Sequence, residues 1–173
     1  MTLSDPPTPS LPQCVAQTLA RLGIPAALLP TLVADLAPAS EIWEFVPGEN
    51  LFRENAPFAH LLVIDAGKVA LEMGVPGRGR TRILSLGAGD IVAWSAVLGN
   101  GQMTTSATSL EATRVIALPA GRILALCESN HEVGYFFMKA LAKAIGNRLV
   151  ATRLQLLDVF SPHPSTVPLR STE

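Results

Sequence analysis

The chain has 173 residues, enough for one domain with a sizeable hydrophobic core and short terminal segments. Its formal net charge is -1 and only 16% of its residues are charged, which argues against a surface for nucleic acid or an anionic membrane. Although 49% of the residues are hydrophobic, no uninterrupted apolar run approaches the roughly 18 residues that a membrane-spanning helix needs.

The two ends of the chain differ in composition from its centre. Residues 1–12 contain four prolines among small polar residues and predict a disordered arm, and residues 161–173 predict a disordered tail. The start of the chain lacks the basic and apolar regions of a secretory signal, which predicts a cytoplasmic protein. Cys14 and Cys127 have no metal-binding or redox spacing and are predicted to be free thiols. One domain is therefore expected over residues 13–160.

Apolar residues at helical spacing predict two short N-terminal helices, over residues 13–22 and 24–36. The period then changes to two, and turns rich in glycine, proline and asparagine separate short β-rich runs. This pattern is typical of a β-roll or barrel. The predicted strands cover residues 42–46, 51–52, 60–65, 68–73, 82–86, 90–93, 104–107 and 112–118.

Beyond Pro119 the spacing of apolar residues is helical again. It predicts a short helix over residues 121–127 and a long one over residues 131–160. Up to about Ile145 the apolar seam fits packing on the chain's own strands as well as packing on a partner, whereas the second half is expected to project and form a homodimer. The seam consists of Phe137, Leu141, Ile145, Leu149, Thr152, Leu156 and Val159.

Three motifs occur in order and at the spacing of one known family: residues 45–55 (FVPGENLFREN), 62–69 (LVIDAGKV) and 86–91 (LGAGDI). On these motifs the chain resembles the cyclic nucleotide-binding domain family, which includes catabolite-activator-type regulators, kinase regulatory subunits and gated channels. The resemblance covers about residues 25–160. It implies an α+β fold, in which an antiparallel, jelly-roll-like β-roll carries short N-terminal helices and a long C-terminal dimerisation helix.

In nucleotide-binding members of the family, a phosphate cassette follows the Gly-Asp turn. It contains a Gly-Glu pair, whose Glu binds the ribose, and about ten residues later an Arg that binds the cyclic phosphate beside a small hydroxyl residue. Here Ala93 and Trp94 stand at the Gly-Glu positions, and Thr104, or Met103 if one gap is placed differently, stands at the Arg position. Residues 91–110 contain no ionisable side chain. The resemblance therefore supports a cyclic nucleotide ligand only weakly.

Other cassette and helix positions match the family pattern. Thr105 matches the small hydroxyl residue, and Arg148 and Thr152 align with positions that approach the ribose and purine. Arg148 also fits a solvated or ion-paired helix residue, Thr152 fits seam packing, and the threonines fit ordinary strand positions. Trp94 is favoured to fill the ribose site, with stacking on a planar ligand as the alternative. The candidate ligand-binding residues are Ala93, Trp94, Ser95, Thr104, Thr105, Arg148 and Thr152.

The sequence carries no GxSxG, HExxH or P-loop motif and predicts a protein that is not an enzyme and holds no metal. A basic cluster of Arg78, Arg80 and Arg82 is expected to be a solvated hairpin tip. Because thirteen residues follow Phe160, whereas the family's helix-turn-helix module needs some sixty, direct DNA binding is not expected.

Two functions remain open. In the first, a small molecule binds the roll, the long helix moves, and a partner protein reads the change. In the second, a ligand-free, degenerate domain serves dimerisation or protein docking. A minor alternative is a haem or gas sensor, for which the candidate ligands are His60, His131, Cys127 and Met103.

Overall fold

The structure, a computed structural model, describes residues 9–77 and 79–160, with side chains described as far as residue 154. Most of the predicted arm, Arg78 and the predicted tail lie outside the described residues. The first helix, α1 (Leu11–Arg21), begins two residues before the predicted helix start at residue 13. Proline is tolerated in a first turn, where the missing N–H has no helical partner, so Pro12 does not exclude this start. The Ser10 N–H donates to Gln13 Oε1 at 2.8 Å.

The second predicted helix, residues 24–36, is wrong in its first part. A 3-10 turn at Ala26–Leu28 precedes helix α2 (Leu29–Leu36), and a second 3-10 turn covers Ala37–Ala39. Pro25 has extended backbone angles (φ -58°, ψ 142°), so a regular helix cannot include it. Pro30 falls in the first turn of α2, where its fixed φ is compatible with a helix.

Eight strands in the described part of the chain form two antiparallel sheets and confirm the predicted α+β β-roll. Sheet 1 has the strand order β1-β8-β3-β6, and sheet 2 has the order β2-β7-β4-β5. The strands are β1 (Glu41–Phe45), β2 (Asn50–Phe52), β3 (His60–Ala66), β4 (Val69–Val75), β5 (Gly79–Leu86), β6 (Ile91–Val92), β7 (Ser106–Ser109) and β8 (Thr113–Pro119).

Two differences from the predicted strands fall in the segment after β6. A short helix, α3 (Ser95–Leu98), was not predicted, and β7 starts at Ser106 rather than at Thr104. The Met103 N–H donates to Ala56 O at 3.1 Å, and Met103 O accepts from the Asn55 N–H at 2.8 Å. These bonds hold the chain against the loop after β2, so pairing with β4 begins only at Ser106.

Two helices end the described chain: α4 (Ala120–Ser129) and α5 (His131–Phe160). Asn130 separates them, and its Oδ1 accepts from the Glu132 N–H at 3.0 Å, as a helix-capping side chain does. A Cβ placed on Gly134 would lie 3.0 Å from Cys127 O, so the two helices pack closely at this point. Within residues 9–77 and 79–160, no helix combines the length and the apolar character needed to cross a bilayer.

The central strands β3 and β8 are buried on both faces, because successive side chains of a strand point to opposite sides. One face contributes Leu61, Val63, Ile116 and Leu118 to a helix-side core, together with α1, α2, α4 and α5. The other face contributes Leu62, Ile64, Val115 and Ala117 to the interior of the roll. Phe137 and Leu141 of α5 are fully buried in the helix-side core, which anchors the first half of that helix.

We predict that Gly67→Ala lowers the free energy of unfolding by about 3 kcal/mol or more. Gly67 has φ 94°, and a Cβ there would lie 2.5 Å from Ala112 O and 2.6 Å from Thr113 Cα, both backbone atoms. Gly77→Ala is the matched control: its φ is 77° but no atom lies within 4 Å, so the cost is only the left-handed conformation, about 1 kcal/mol. Urea unfolding measures both, and equal losses would contradict the clash.

Candidate functional site

The segment that matches the phosphate cassette leaves sheet 1 at Val92 and turns sharply. Ala93 has φ 60°, in the left-handed region that costs a non-glycine residue about 1 kcal/mol. The resemblance to the cyclic nucleotide-binding family predicts that Ala93 stands where nucleotide-binding members carry Gly. The backbone at Ala93 thus takes a conformation that suits glycine, although Ala93 carries a methyl side chain. Trp94 comes next and directly precedes α3.

Buried apolar side chains of the chain line the interior of the roll. Ala93 is 5% exposed and Met103 is 2% exposed, and both belong to the interior core. The same core contains residues from both sheets, among them Val115 of sheet 1 and Leu71 and Leu86 of sheet 2. Methyl and thioether groups supply no hydrogen bonds for a charged phosphate, whose burial without partners costs several kcal/mol. The interior is therefore an apolar core.

Trp94 and Ser95 lie at the edge of the helix-side core. The half-buried Trp94 ring packs against that core, on the helix side of sheet 1. Its two predicted roles, filling the ribose site and stacking on a planar ligand, stay predictions. Ser95 is 5% exposed, and its carbonyl oxygen accepts from the Gly99 N–H at 3.1 Å, which closes α3. Both residues thus support the short helix that sequence patterns did not predict.

Thr104 and Thr105 precede β7. Thr104 is exposed and Thr105 is half-buried. The next hydroxyl, Ser106 Oγ, accepts from the Glu54 N–H at 3.0 Å and so joins the start of β7 to the loop after β2. Residues 91–110 carry no cation, so these hydroxyls have no charged neighbour from their own segment to help them hold an anion.

Arg148 joins α5 to the strand that leads into the cassette. Its Nη2 donates to the carbonyl oxygen of Ile91, in β6. The side chain is half-buried, and burial lowers the pKa of the guanidinium, while the Asp90 carboxylate acts in the opposite direction. Thr152 Oγ1 donates to Arg148 O at 2.8 Å, within the same helix. The structure thus brings Arg148 beside β6, two residues before Ala93, whereas the hydroxyl of Thr152 is engaged by its own helix.

The candidate haem ligands have ordinary packing environments. His60 contacts Trp43 edge-on, with ring centroids 5.0 Å apart, and Phe58 at 6.0 Å. Met103 lies in the interior core, and burial raises the pKa of the Cys127 thiol. His131 is exposed at the start of α5. Within the described parts of the chain, no three His, Cys, Asp or Glu side chains cluster as metal ligands. The haem alternative stays a prediction.

Sequence reasoning missed an ion-pair network centred on Asp65. Arg114 Nε donates to Asp65 Oδ2 at 2.8 Å, and Arg21 Nη1 approaches Asp65 Oδ1 at 3.3 Å. The hydrogen bond and charge of Asp65 raise the pKa of Arg114. This network ties the last turn of α1 to β3 and β8. No sequence signal links three residues so far apart, although Asp65 stands in the turn motif before Gly67.

We predict that Arg148→Met loosens the second half of α5. Loss of one charge-assisted hydrogen bond to Ile91 O lowers the free energy of unfolding by about 1–2 kcal/mol, since relief of guanidinium burial offsets part of the loss. Hydrogen exchange beyond Ile145 should accelerate. Arg153→Met, at an exposed position of the same helix, is the control and should change stability by less than about 0.5 kcal/mol. Unchanged exchange in Arg148→Met would contradict the linkage.

Similarity to known proteins extends over most of the described chain. The chain is 27% identical over 153 residues to the CRP-like cAMP-activated global transcriptional regulator of Mycobacterium tuberculosis, found in two strains. The match covers 87% of this chain and 66% of the relative. The chain thus spans just under two thirds of the length of these relatives.

Solved structures show the same fold. A cyclic nucleotide-binding domain from Methylobacillus flagellatus KT has TM-score 0.73 at 17% identity, with 85% of this chain and 84% of that chain covered. The Thermus thermophilus catabolite activator protein has TM-score 0.61 at 22% identity, with 80% and 63% covered. The sequence profile of the cyclic nucleotide-binding domain family matches residues 42–130, just over half of the chain. Together with the β-roll, this match shows that the chain belongs to the cyclic nucleotide-binding domain family.

Proposed function

We propose that the chain is a non-enzymatic regulatory domain that dimerises through α5 and acts on a protein partner, with its roll filled by its own side chains rather than by a cyclic nucleotide. The observation that carries this proposal is the division of α5. Its first half is buried in the helix-side core through Phe137 and Leu141, whereas large apolar side chains of its second half are exposed.

The exposed part of α5 has the composition of an interface. Leu149 is 50% exposed, Val150 56% and Leu154 58%, a set that covers a wide arc of the helix at 100° per residue. A helix segment that is apolar around so much of its circumference is normally buried by another element. A second copy of α5 would supply that burial symmetrically, with the same surface on both chains.

Gly146 supports close approach of a second helix on this face. It lies in the middle of α5, where glycine costs about 1 kcal/mol relative to alanine, and no atom of the chain lies within 4 Å of a Cβ placed there. Packing within the chain therefore gives no reason for its small size. Ala142 stands one turn earlier, so two small residues share the outward face with Leu149.

The hydrogen bond from Arg148 to Ile91 O links α5, the proposed dimerisation helix, to strand β6 of the roll. A change at the start of β6 alters the acceptor that holds α5, and a change in α5 alters the strand before Ala93. Coupling of this kind needs two states that differ in free energy and a second protein or segment that reads the helix position. Because the helix position has to be read by another protein or segment, the proposal includes signalling through a protein partner.

We expect titration calorimetry of the full chain with cAMP or cGMP to show no saturable binding up to about 100 μM ligand. The cassette offers no cation, and Ala93 and Met103 are buried in an apolar core. Micromolar binding by the unmodified chain would contradict the proposal.

Variants at Thr104 test the reason for this absence of binding. Trp94→Glu/Thr104→Arg restores the family's acid and cation, and gained binding in this variant would support a degenerate cassette. Thr104→Arg alone leaves the helix-side packing of Trp94 intact, and Thr104→Ala is the matched control, which should bind no better than the unmodified chain.

We expect Leu149→Glu to convert the dimer into a monomer in size-exclusion chromatography with light scattering. A glutamate at this position would be desolvated without a partner in the dimer. Leu98→Glu is the matched control, because Leu98 is a similarly exposed leucine (44%) on α3, away from the proposed interface. A dimer that survives Leu149→Glu, or a monomeric unmodified chain at about 100 μM, would overturn the α5 interface.

A further inference from the structure

A polar cleft of about 250 Å3 lies outside the roll, where α1, the turn before β6 and α5 meet. Arg21 and Gly23 line it from the end of α1, and Gly89 and Asp90 line it from the turn. The α5 side consists of Ala140, Lys143, Ala144 and Asn147, whose spacing places them on one face of the helix. None of these residues belongs to the segment that matches the phosphate cassette.

The cleft owes its space to small side chains. Ala140 and Ala144 lie half-buried on α5, and Gly23, which follows the C-cap residue of α1, has φ 84°. Its volume falls below the roughly 300–1,000 Å3 typical of pockets for drug-sized ligands, so an occupant has to be small.

Cations outnumber anions around this cleft. Arg21 and Lys143 line it, and Arg148 lies close enough to Asp90 for their charges to interact. Asp90 is also engaged by its own turn, since its Oδ2 accepts from the Gly87 N–H at 2.8 Å. Arg21, Lys143 and the nearby Arg148 thus stand against Asp90, which is the acidic side chain in the lining of this cleft. This local positive charge contrasts with a net charge of -1 for the whole chain.

Arg21 is free to turn toward a ligand because its present partner has a second cation. Arg21 contacts Asp65 Oδ1 at 3.3 Å, and its side chain is 46% exposed. Asp65 Oδ2 is held separately by Arg114 Nε at 2.8 Å. Movement of Arg21 therefore leaves the Asp65 carboxylate paired, so the rearrangement avoids the cost of an unpaired, partly buried charge.

We propose that this cleft is a binding site for a small phosphate-bearing anion, clasped between Arg21 and Lys143. A guanidinium presents paired N–H donors that match phosphate oxygens, and an ammonium adds a point charge with three donors. The Asn147 amide lines the same face and offers a further N–H group. Such an anion bridges α1 and α5, so it acts on the position of the helix from outside the roll.

Titration calorimetry with sodium pyrophosphate at low ionic strength tests the site, and the full chain should bind one equivalent saturably. Lys143→Gln, at an exposed position, should weaken binding about tenfold, the loss expected for one charge-assisted hydrogen bond. Arg21→Gln should weaken it similarly, while Arg114 still holds Asp65. Lys139→Gln is the matched control: Lys139 lies one turn earlier, over the Tyr135 ring, and its loss should leave binding unchanged.

A second arm distinguishes the source of the phosphate group. Tighter binding of glycerol 3-phosphate than of inorganic phosphate would support a phosphate monoester, and the reverse order would support a free phosphate anion. Absence of saturable pyrophosphate binding up to about 10 mM, or equal weakening in Lys139→Gln, would overturn the site. The pyrophosphate titration requires neither a dimer nor cAMP, so its outcome is independent of the proposed function.

Discussion

Burial of β3 and β8 on both faces is the constraint on which the rest of the molecule depends. Leu61 and Val63 face the helices, while Leu62 and Ile64 face the interior of the roll, so one strand contributes to two cores. The helix-side core fixes α1, α2, α4 and the first half of α5 against sheet 1, and the interior core joins the two sheets. Any shift of register by one residue would exchange the two faces and disturb both cores.

This arrangement separates the apolar interior of the roll from the ion pairs between α1 and sheet 1. The interior gains stability from apolar contacts at Met103 and Ala93, in the segment that the sequence resemblance predicts to be the phosphate cassette. Ionic contacts lie instead on the other side of sheet 1, where Asp65, Arg114 and Arg21 connect a helix to two strands. These ion pairs lie at the junction between the helices and sheet 1, whereas the Arg80–Glu72 pair lies on sheet 2.

Much of the fold follows from the sequence because its signals are local. The alternation of apolar residues gave β3 and β8 nearly to the residue, and the helical spacing after Asn130 gave α5. Errors occurred where tertiary contacts override local preference. Met103 pairs with the loop after β2, so β7 begins later in the chain than predicted. The turn at Ala93 is followed by a helix over Ser95–Leu98, which has four residues and is too short for a periodic pattern to reveal.

The candidate site was less predictable for a similar reason. Absence of charge in residues 91–110 could be read directly, but the side of the sheet that Trp94 occupies depends on the turn at Ala93. Partners such as Asp65 and Arg21 are far apart in sequence and meet only through the packing of α1 on the roll. Arg148 could be assigned to one face of α5, whereas its acceptor is a main-chain atom that sequence patterns do not identify.

That main-chain acceptor has a consequence for genetic studies of the domain. Every amino acid at position 91 supplies a carbonyl oxygen, so apolar replacements of Ile91 that preserve the strand keep the link to α5. Mutational scanning would therefore record one end of this contact as sensitive, at the arginine, and the other as tolerant. Covariation between the two positions would be weak for the same reason, and the connection between helix and roll would escape methods that detect contacts from paired substitutions.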